Sequence, residues 1–179
     1  FPYSWTSIQK EIPETHHRLF LTAMMLCLAG LLGMTITGDA FNLFVLLEIS
    51  SLSSYTLISL GRDRRALTAS FQYLIMGTVG ATFILIGVGL LYALTGTLNM
   101  ADMADRLAGQ GDNRTVQAAF AFIVVGMGLK VAIYPLHLWL PNAYTFAPSA
   151  ITVFLAATAT KVAVYVMIRF LFSVYQPSF

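Results

Sequence analysis

The chain has 179 residues, 58% of them hydrophobic and only 10% charged, with a formal net charge of +2. A soluble domain carries about 25% charged residues, so a water-soluble globule is excluded, and so small and scattered a positive excess gives no basis for nucleic-acid binding. The single cysteine, Cys27, excludes a disulfide framework and a cysteine-based metal site.

Runs of about 20 apolar residues, enough to cross a bilayer, mark an integral membrane protein. The chain opens at Phe1 without the basic start or cleavage site of a signal peptide. It reads as part of a longer product, with 1–18 as an amino-terminal flank. The first spanning segment is 19–37, entered after His16, His17 and Arg18, and Cys27 within it reads as a packed helix residue. Only "GDA" separates it from the second, 41–60, so the two form a tight hairpin. The third, 66–94, exceeds the bilayer's requirement and predicts tilt. In "NMADMADRL", Met100, Met103 and Leu107 recur at helical spacing behind Asn99 as a helix start. This short helix lies at the membrane surface or serves as an ordinary connector. The fourth span is 116–134 and the fifth 149–173, leaving 174–179 as a carboxyl flank.

Pro135 removes an amide hydrogen and clashes with the carbonyl of Val131, and Pro141 and Pro148 follow. Residues 135–148 therefore cannot form one straight helix. The fold class is all-α integral membrane, a bundle of five transmembrane helices with one broken by proline.

Orientation follows from the arginines. The loop "GRDRRA" carries Arg62, Arg64 and Arg65, whereas the loop after the third span carries Asp102, Asp105 and Asp112 against Arg106 and Arg114. The positive-inside rule predicts a cytoplasmic amino terminus and 61–65 loop in the cell (inner) membrane. Lys10 and Arg18 fall on that side and Asp39 on the other, in agreement.

Three charges interrupt the spans: Glu48, Lys130 and Lys161. They lie about 10, 21 and 18 Å from the starts of their helices at 1.5 Å per residue. Arg169, near the end of its span, can snorkel to the headgroups; the two lysines have too many apolar residues on both sides. A charge at a helix centre costs about 2.5–3.5 kcal/mol on insertion scales. Buried ionisable groups that face a bundle interior mark proton or ion paths, and a structural ion pair of Glu48 with one lysine is the competing reading. His137, in the connector "PLHLWLPNAYTFAP", is of a residue type able to hand protons on near neutral pH and is either a further proton carrier or a hydrogen-bonded interfacial residue. Ser50, Ser51, Ser53 and Ser54 can line a wet cavity or bond across helices, as can Thr158 and Thr160. Gly77, Gly80, Ala81, Gly126 and Gly128 permit close helix packing, while Trp139 and Tyr144 suit interface anchors.

No nucleotide fingerprint is present: "GVGLLY" and "GMGLKV" lack the third glycine and the strand–helix setting. No zinc motif, catalytic triad or cofactor box is visible, so no cofactor, no metal site and no catalytic residues are expected. The available chemistry is that of proton and cation handling.

These residues resemble the antiporter-like membrane subunits shared by complex I and the multisubunit Mrp-type cation/proton antiporters. The resemblance spans nearly the whole chain and rests on "TGDAFNLFVLLEISSLSSY", "GLKVAIYPLHLWLPNAYTFAPS" and "ATKVAVY". The stretch "LLYALTGTLNMADMADRL" is most similar to the D subunit of the Mrp type. The resemblance implies one of two inverted five-helix proton-conducting units, here the fourth to eighth helices over 19–173. It implies that Glu48 and Lys130 form a gating pair, that Lys161 is a central relay, and that His137 matches the histidine of the connecting loop. It further implies other membrane subunits, the lipid bilayer, protons and sodium as partners, in a sodium/proton antiporter. A proton-pumping subunit of NADH:quinone oxidoreductase or of a membrane-bound hydrogenase is the alternative. A passive scaffold, its charges anchoring neighbouring subunits, is the reading from another class.

Overall fold

The computed structural model describes residues 2–175, and the expected flank beyond 175 lies outside the described residues. Nine α-helices account for most of the described chain: α1 Pro2–Glu11, α2 His17–Ile36, α3 Ala40–Ser59, α4 Arg65–Thr95, α5 Met100–Leu107, α6 Arg114–Val131, α7 Trp139–Phe146, α8 Ser149–Ala157 and α9 Ala159–Ile168. A π-helical turn, Arg169–Val174, continues α9. Five segments among the described residues are long and apolar enough to cross a membrane: Glu14–Ile36, Ala40–Ser59, Arg65–Thr95, Arg114–Val131 and Ser149–Val174. The chain is a multi-pass integral membrane protein of all-α class.

Local chemistry explains where these helices start. Asp39 begins α3 by accepting the Asn42 amide at 2.7 Å. Asn99 begins α5 through the amides of Ala101 and Asp102, and Asn113 begins α6 through that of Thr115. Each side-chain oxygen satisfies donors that a helix start leaves free. At α4's other end Gly96 takes the left-handed conformation (φ 67°), which a residue without Cβ adopts at little cost. The first two hairpin ends are also tied to each other. Asp39 and Asn99 form an antiparallel bridge, with Ala40 N–H donating to Leu98 O and Met100 N–H to Gly38 O, both at 2.9 Å.

Packing places α3 between α2 and α4, and α4 between α3 and α6; α9 touches both α6 and α2 and closes the bundle. The α4–α6 contact depends on glycine: a Cβ on Gly126 would stand 2.6 Å from the Gly80 carbonyl oxygen and 3.0 Å from the Ile84 nitrogen. Small residues at such a crossing let two backbones touch, which is how helices associate where lipid is as apolar as the side chains. Cys27 is fully buried in α2, its Sγ 3.4 Å from Ser54 Oγ, as a packed helix residue should be.

Two details differ from the sequence expectation. The fourth span stops at Val131 and not 134, because Pro135 bars α conformation at the residue before it and removes a donor. The fifth is not one helix: Thr158 leaves helical geometry (φ −120°, ψ −56°) and divides it into α8 and α9. No proline or glycine marks that break. Its hydroxyl donates to Phe154 O at 2.7 Å and that of Thr160 to Ala156 O at 3.5 Å, the back-bonding by which threonines bend helices.

Candidate proton-carrying site

On α3, Glu48, Ser51 and Tyr55 recur at spacings of three and four residues and so share one face. Lys130 meets that face from α6, one residue before the helix ends. It is buried, with 7% exposure. Its Nζ donates to Ser51 Oγ at 2.7 Å and stands 3.6 Å from Glu48 Oε1. The pair is therefore in ionic contact without a hydrogen bond, and Glu48 Oε1 is buried with no hydrogen-bond partner. Ser50, Ser53 and Ser54 turn their hydroxyls back onto α3's own carbonyls; Ser51 serves the lysine instead. A hydroxyl accepts from an ammonium and donates to a neutral amine equally well. Ser51 can thus follow Lys130 through both protonation states.

The end of α6 fixes where this lysine sits. Ala132 adopts the left-handed conformation (φ 61°). Its amide donates to Leu129 O at 3.3 Å and the Ile133 amide to Gly128 O at 2.9 Å, the paired bonds of a Schellman turn. Trp139, opening α7 beyond the break, donates from Nε1 to Leu129 O at 3.0 Å. Its ring stacks on Tyr73 of α4 (centroids 3.9 Å, interplanar 1°), and Tyr73 meets Tyr55 edge-on at 4.6 Å. Trp139 is 4% exposed, so it is not the interface anchor expected of it. A membrane-boundary tryptophan keeps its N–H toward water, whereas this one spends it on a carbonyl at the helix break.

A small internal cavity of about 40 Å³ adjoins Lys130, room for a very few waters. Ser51, Ser54, Trp139, Tyr144 and Thr160 also line it. It leads from the lysine toward the α8–α9 break. Tyr144, expected at the interface, lies on this wall. Lys161 does not line the cavity: it is exposed on the outer side of α9, where its Nζ bonds Ala156 O at the end of α8. His137 is half-buried in the turn between α6 and α7, with Nδ1 buried and unbonded, and it too is outside the cavity lining. Of the four residues singled out, Glu48 and Lys130 meet; Lys161 and His137 do not join them. Arg169 reaches Thr37 O at 2.8 Å and caps α2. Among the described residues no group of three His, Cys, Asp or Glu is placed to hold a metal ion.

The family described as the transmembrane segment of NADH:quinone oxidoreductase and Mrp antiporter matches residues 37–178. The chain belongs to that family. Within it, the chain is 52% identical over 155 residues to the N subunit of the NADH-quinone oxidoreductase of Desulforudis audaxviator (strain MP104C), covering 87% of this chain and 31% of that protein. It is 36% identical over 161 residues to the D subunit of the Na(+)/H(+) antiporter of Bacillus subtilis (strain 168), covering 89% and 33%. Among solved structures it matches a chain of an archaeal respiratory membrane complex, the membrane-bound sulfane sulfur reductase. That match has a TM-score of 0.81 and 40% identity, and covers 87% of this chain and 32% of that one. The chain thus spans about a third of the length of the relatives it matches. The resemblance read from the sequence and the all-helical membrane fold both hold.

Proposed function

We propose that this chain relays protons through the membrane on Lys130, with Glu48 as the opposing charge and Ser51 as the hydrogen-bond partner that serves both protonation states. The observation that carries the reading is the contact itself: a buried lysine 3.6 Å from a carboxylate oxygen that has no hydrogen-bond partner. A purely structural pair gains most from short hydrogen-bonded contact, since burial strips both charges of water. A loose pair beside a water-sized cavity suits opening and closing. Lys161 and His137 are the next carriers in this reading, reached when other groups cover the outer face of α9 and the α6–α7 turn. The five-helix unit over 19–173 acts with other membrane subunits in a cell membrane, its amino end and 61–65 loop in the cytoplasm.

Sodium/proton exchange in an Mrp-type assembly is the first setting for this relay, with the motif around α5 and the Bacillus antiporter relative in support. A redox-driven setting is favoured by a different observation, the 52% identity to a protein named as part of an NADH-quinone oxidoreductase. One experiment tests the relay and separates the settings. Everted vesicles carrying the assembled complex are given sodium or an electron donor, and proton movement is followed with and without Lys130→Ala; a native gel checks assembly. Sodium-driven collapse of a preset pH gradient identifies the antiporter, and donor-driven acidification the redox-linked pump. Loss of either with intact assembly is the expected effect of Lys130→Ala. Normal proton movement in that variant would overturn the relay and leave Lys130 structural.

A further inference from the structure

A second polar group stands near Lys130, and the relay gives it no task. The Tyr55 hydroxyl is buried beside Ser51 without a well-formed hydrogen bond. A phenol in that position loses hydration for only a loose contact with Ser51 in return, which is costly unless a better partner arrives. Across from it on α4 stands Gly77. A Cβ built there would fall 1.9 Å from the Tyr55 hydroxyl and 3.5 Å from Lys130 Nζ. Hydroxyl and amine thus border the same small space, and only glycine leaves that space open. Along α3 the order is Glu48, Ser51, Tyr55, about one turn apart each, with Nζ bonded to the middle member. The ammonium has three N–H donors, and the bond to Ser51 uses one.

We propose that Tyr55 is a second hydrogen-bonding station for the Lys130 amine, kept open by Gly77, which receives the amine when it leaves Glu48. Swinging about Ser51, Nζ exchanges the carboxylate for the phenol. While charged, it donates an N–H to the phenol oxygen. After its proton passes to the adjoining cavity, the neutral amine's lone pair accepts the phenol O–H. The phenol gives up no proton in this cycle, so charge balance involves only the amine and the cavity. Tyr55 is a positioning residue: it keeps the discharged amine from falling back on Glu48 and recapturing a proton there. The edge-on packing of Tyr73 holds its ring in place. This rests on the reading of Lys130 as the proton carrier.

The test is Tyr55→Phe in the assembled complex, which removes the hydroxyl and keeps the ring. Proton movement in everted vesicles is measured against the concentration of whichever driver, sodium or electron donor, works in the wild type. The expected result is a maximal rate lowered about three- to tenfold, the worth of one hydrogen bond, with the half-saturating driver concentration unchanged. A merely structural loss would reduce the amount of assembled complex and not the rate per complex. Gly77→Ala carries the same test from α4 if the first variant fails to assemble, since its Cβ displaces the hydroxyl. A wild-type maximal rate in Tyr55→Phe, or in Gly77→Ala where that carries the test, overturns the proposal. Lys130→Ala runs alongside: if it abolishes transport while Tyr55→Phe keeps the wild-type maximal rate, only this inference fails, and if Lys130→Ala is normal too, the relay reading falls with it.

Discussion

Leu129 offers one carbonyl to two donors, the Ala132 amide and the Trp139 indole, and that doubling is what anchors the turn beside Lys130. Trp139→Phe keeps an aromatic ring against Tyr73 but drops the indole N–H. The Leu129 oxygen retains its bond from Ala132, so the loss is about 1 kcal/mol. Trp139→Ala also forfeits the stack and leaves a void, for about 3–5 kcal/mol. Thermal denaturation of the detergent-solubilised complex should rank wild type, Phe and Ala in that order; equal midpoints for Phe and Ala would show that the stack contributes nothing. Sequence made Glu48 and Lys130 visible because a charge inside an apolar run has few explanations. It did not reveal Trp139, Tyr73 and Tyr55 as one stack, since an aromatic residue reads the same whether it faces lipid, headgroups or core. Ser51 stood among four similar serines, and only the orientation of α3 selects it.

The helix ends show a similar division. Caps supplied by a near neighbour, such as Asp39, Asn99 and Asn113, are legible because the donor and the cap lie within three residues. The cap of α8 is not. Pro148 precedes α8 and makes no side-chain bond to it. Glu11, at the end of α1 and 138 residues away, accepts the Ser149 amide at 2.7 Å instead, while Ser7 Oγ donates to its other oxygen at 2.7 Å. Partial burial pushes the Glu11 carboxyl up, but the bonds from Ser7 and Ser149, with the Arg62 charge, together hold it below the usual carboxylate range. A depressed folded-state pKa contributes stability above the unfolded value, near pH 4.3 for glutamate, and that stability disappears as pH falls through the lower folded value. The protection of the α1 amides, their exchange relative to the intrinsic rate at each pH, should fall on acidification below about pH 4. In Glu11→Ala protection should be low throughout, and a variant still protected and still acid-sensitive would assign the tie to other groups. The break at Thr158 belongs with the illegible features: threonine hydroxyls that bend one helix leave many others straight.

Across the whole bundle, burial is uneven. Half of the most apolar window of α3 is buried, but only 17% of that of Ser149–Val174, the segment that carries Lys161. Lys161 stands exposed on that thinly covered span, outside the Glu48–Lys130 contact. The most extensive helix packing is α4 against α6, the crossing that sets Gly77 opposite Lys130. Two glycines of similar appearance in the sequence separate what that crossing needs from what it does not. Gly126 has backbone atoms of α4 at 2.6 and 3.0 Å from where a Cβ would stand, so even alanine forces the helices apart; Gly89, on α4 itself, has nothing within 4 Å. Backbone cannot retreat as a side chain can, and overpacking a tight contact costs about 1–3 kcal/mol even where side chains adjust. Gly126→Leu should therefore prevent assembly on a native gel, and Gly126→Ala should lower the denaturation midpoint. Gly89→Ala should assemble normally, with a midpoint unchanged or raised, since alanine in a helix is worth about 0.5–1 kcal/mol over glycine. If the two alanine variants behaved alike, close approach at Gly126 would not be what holds α4 to α6. The lysine site would then have to be positioned by the Trp139–Tyr73 stack instead.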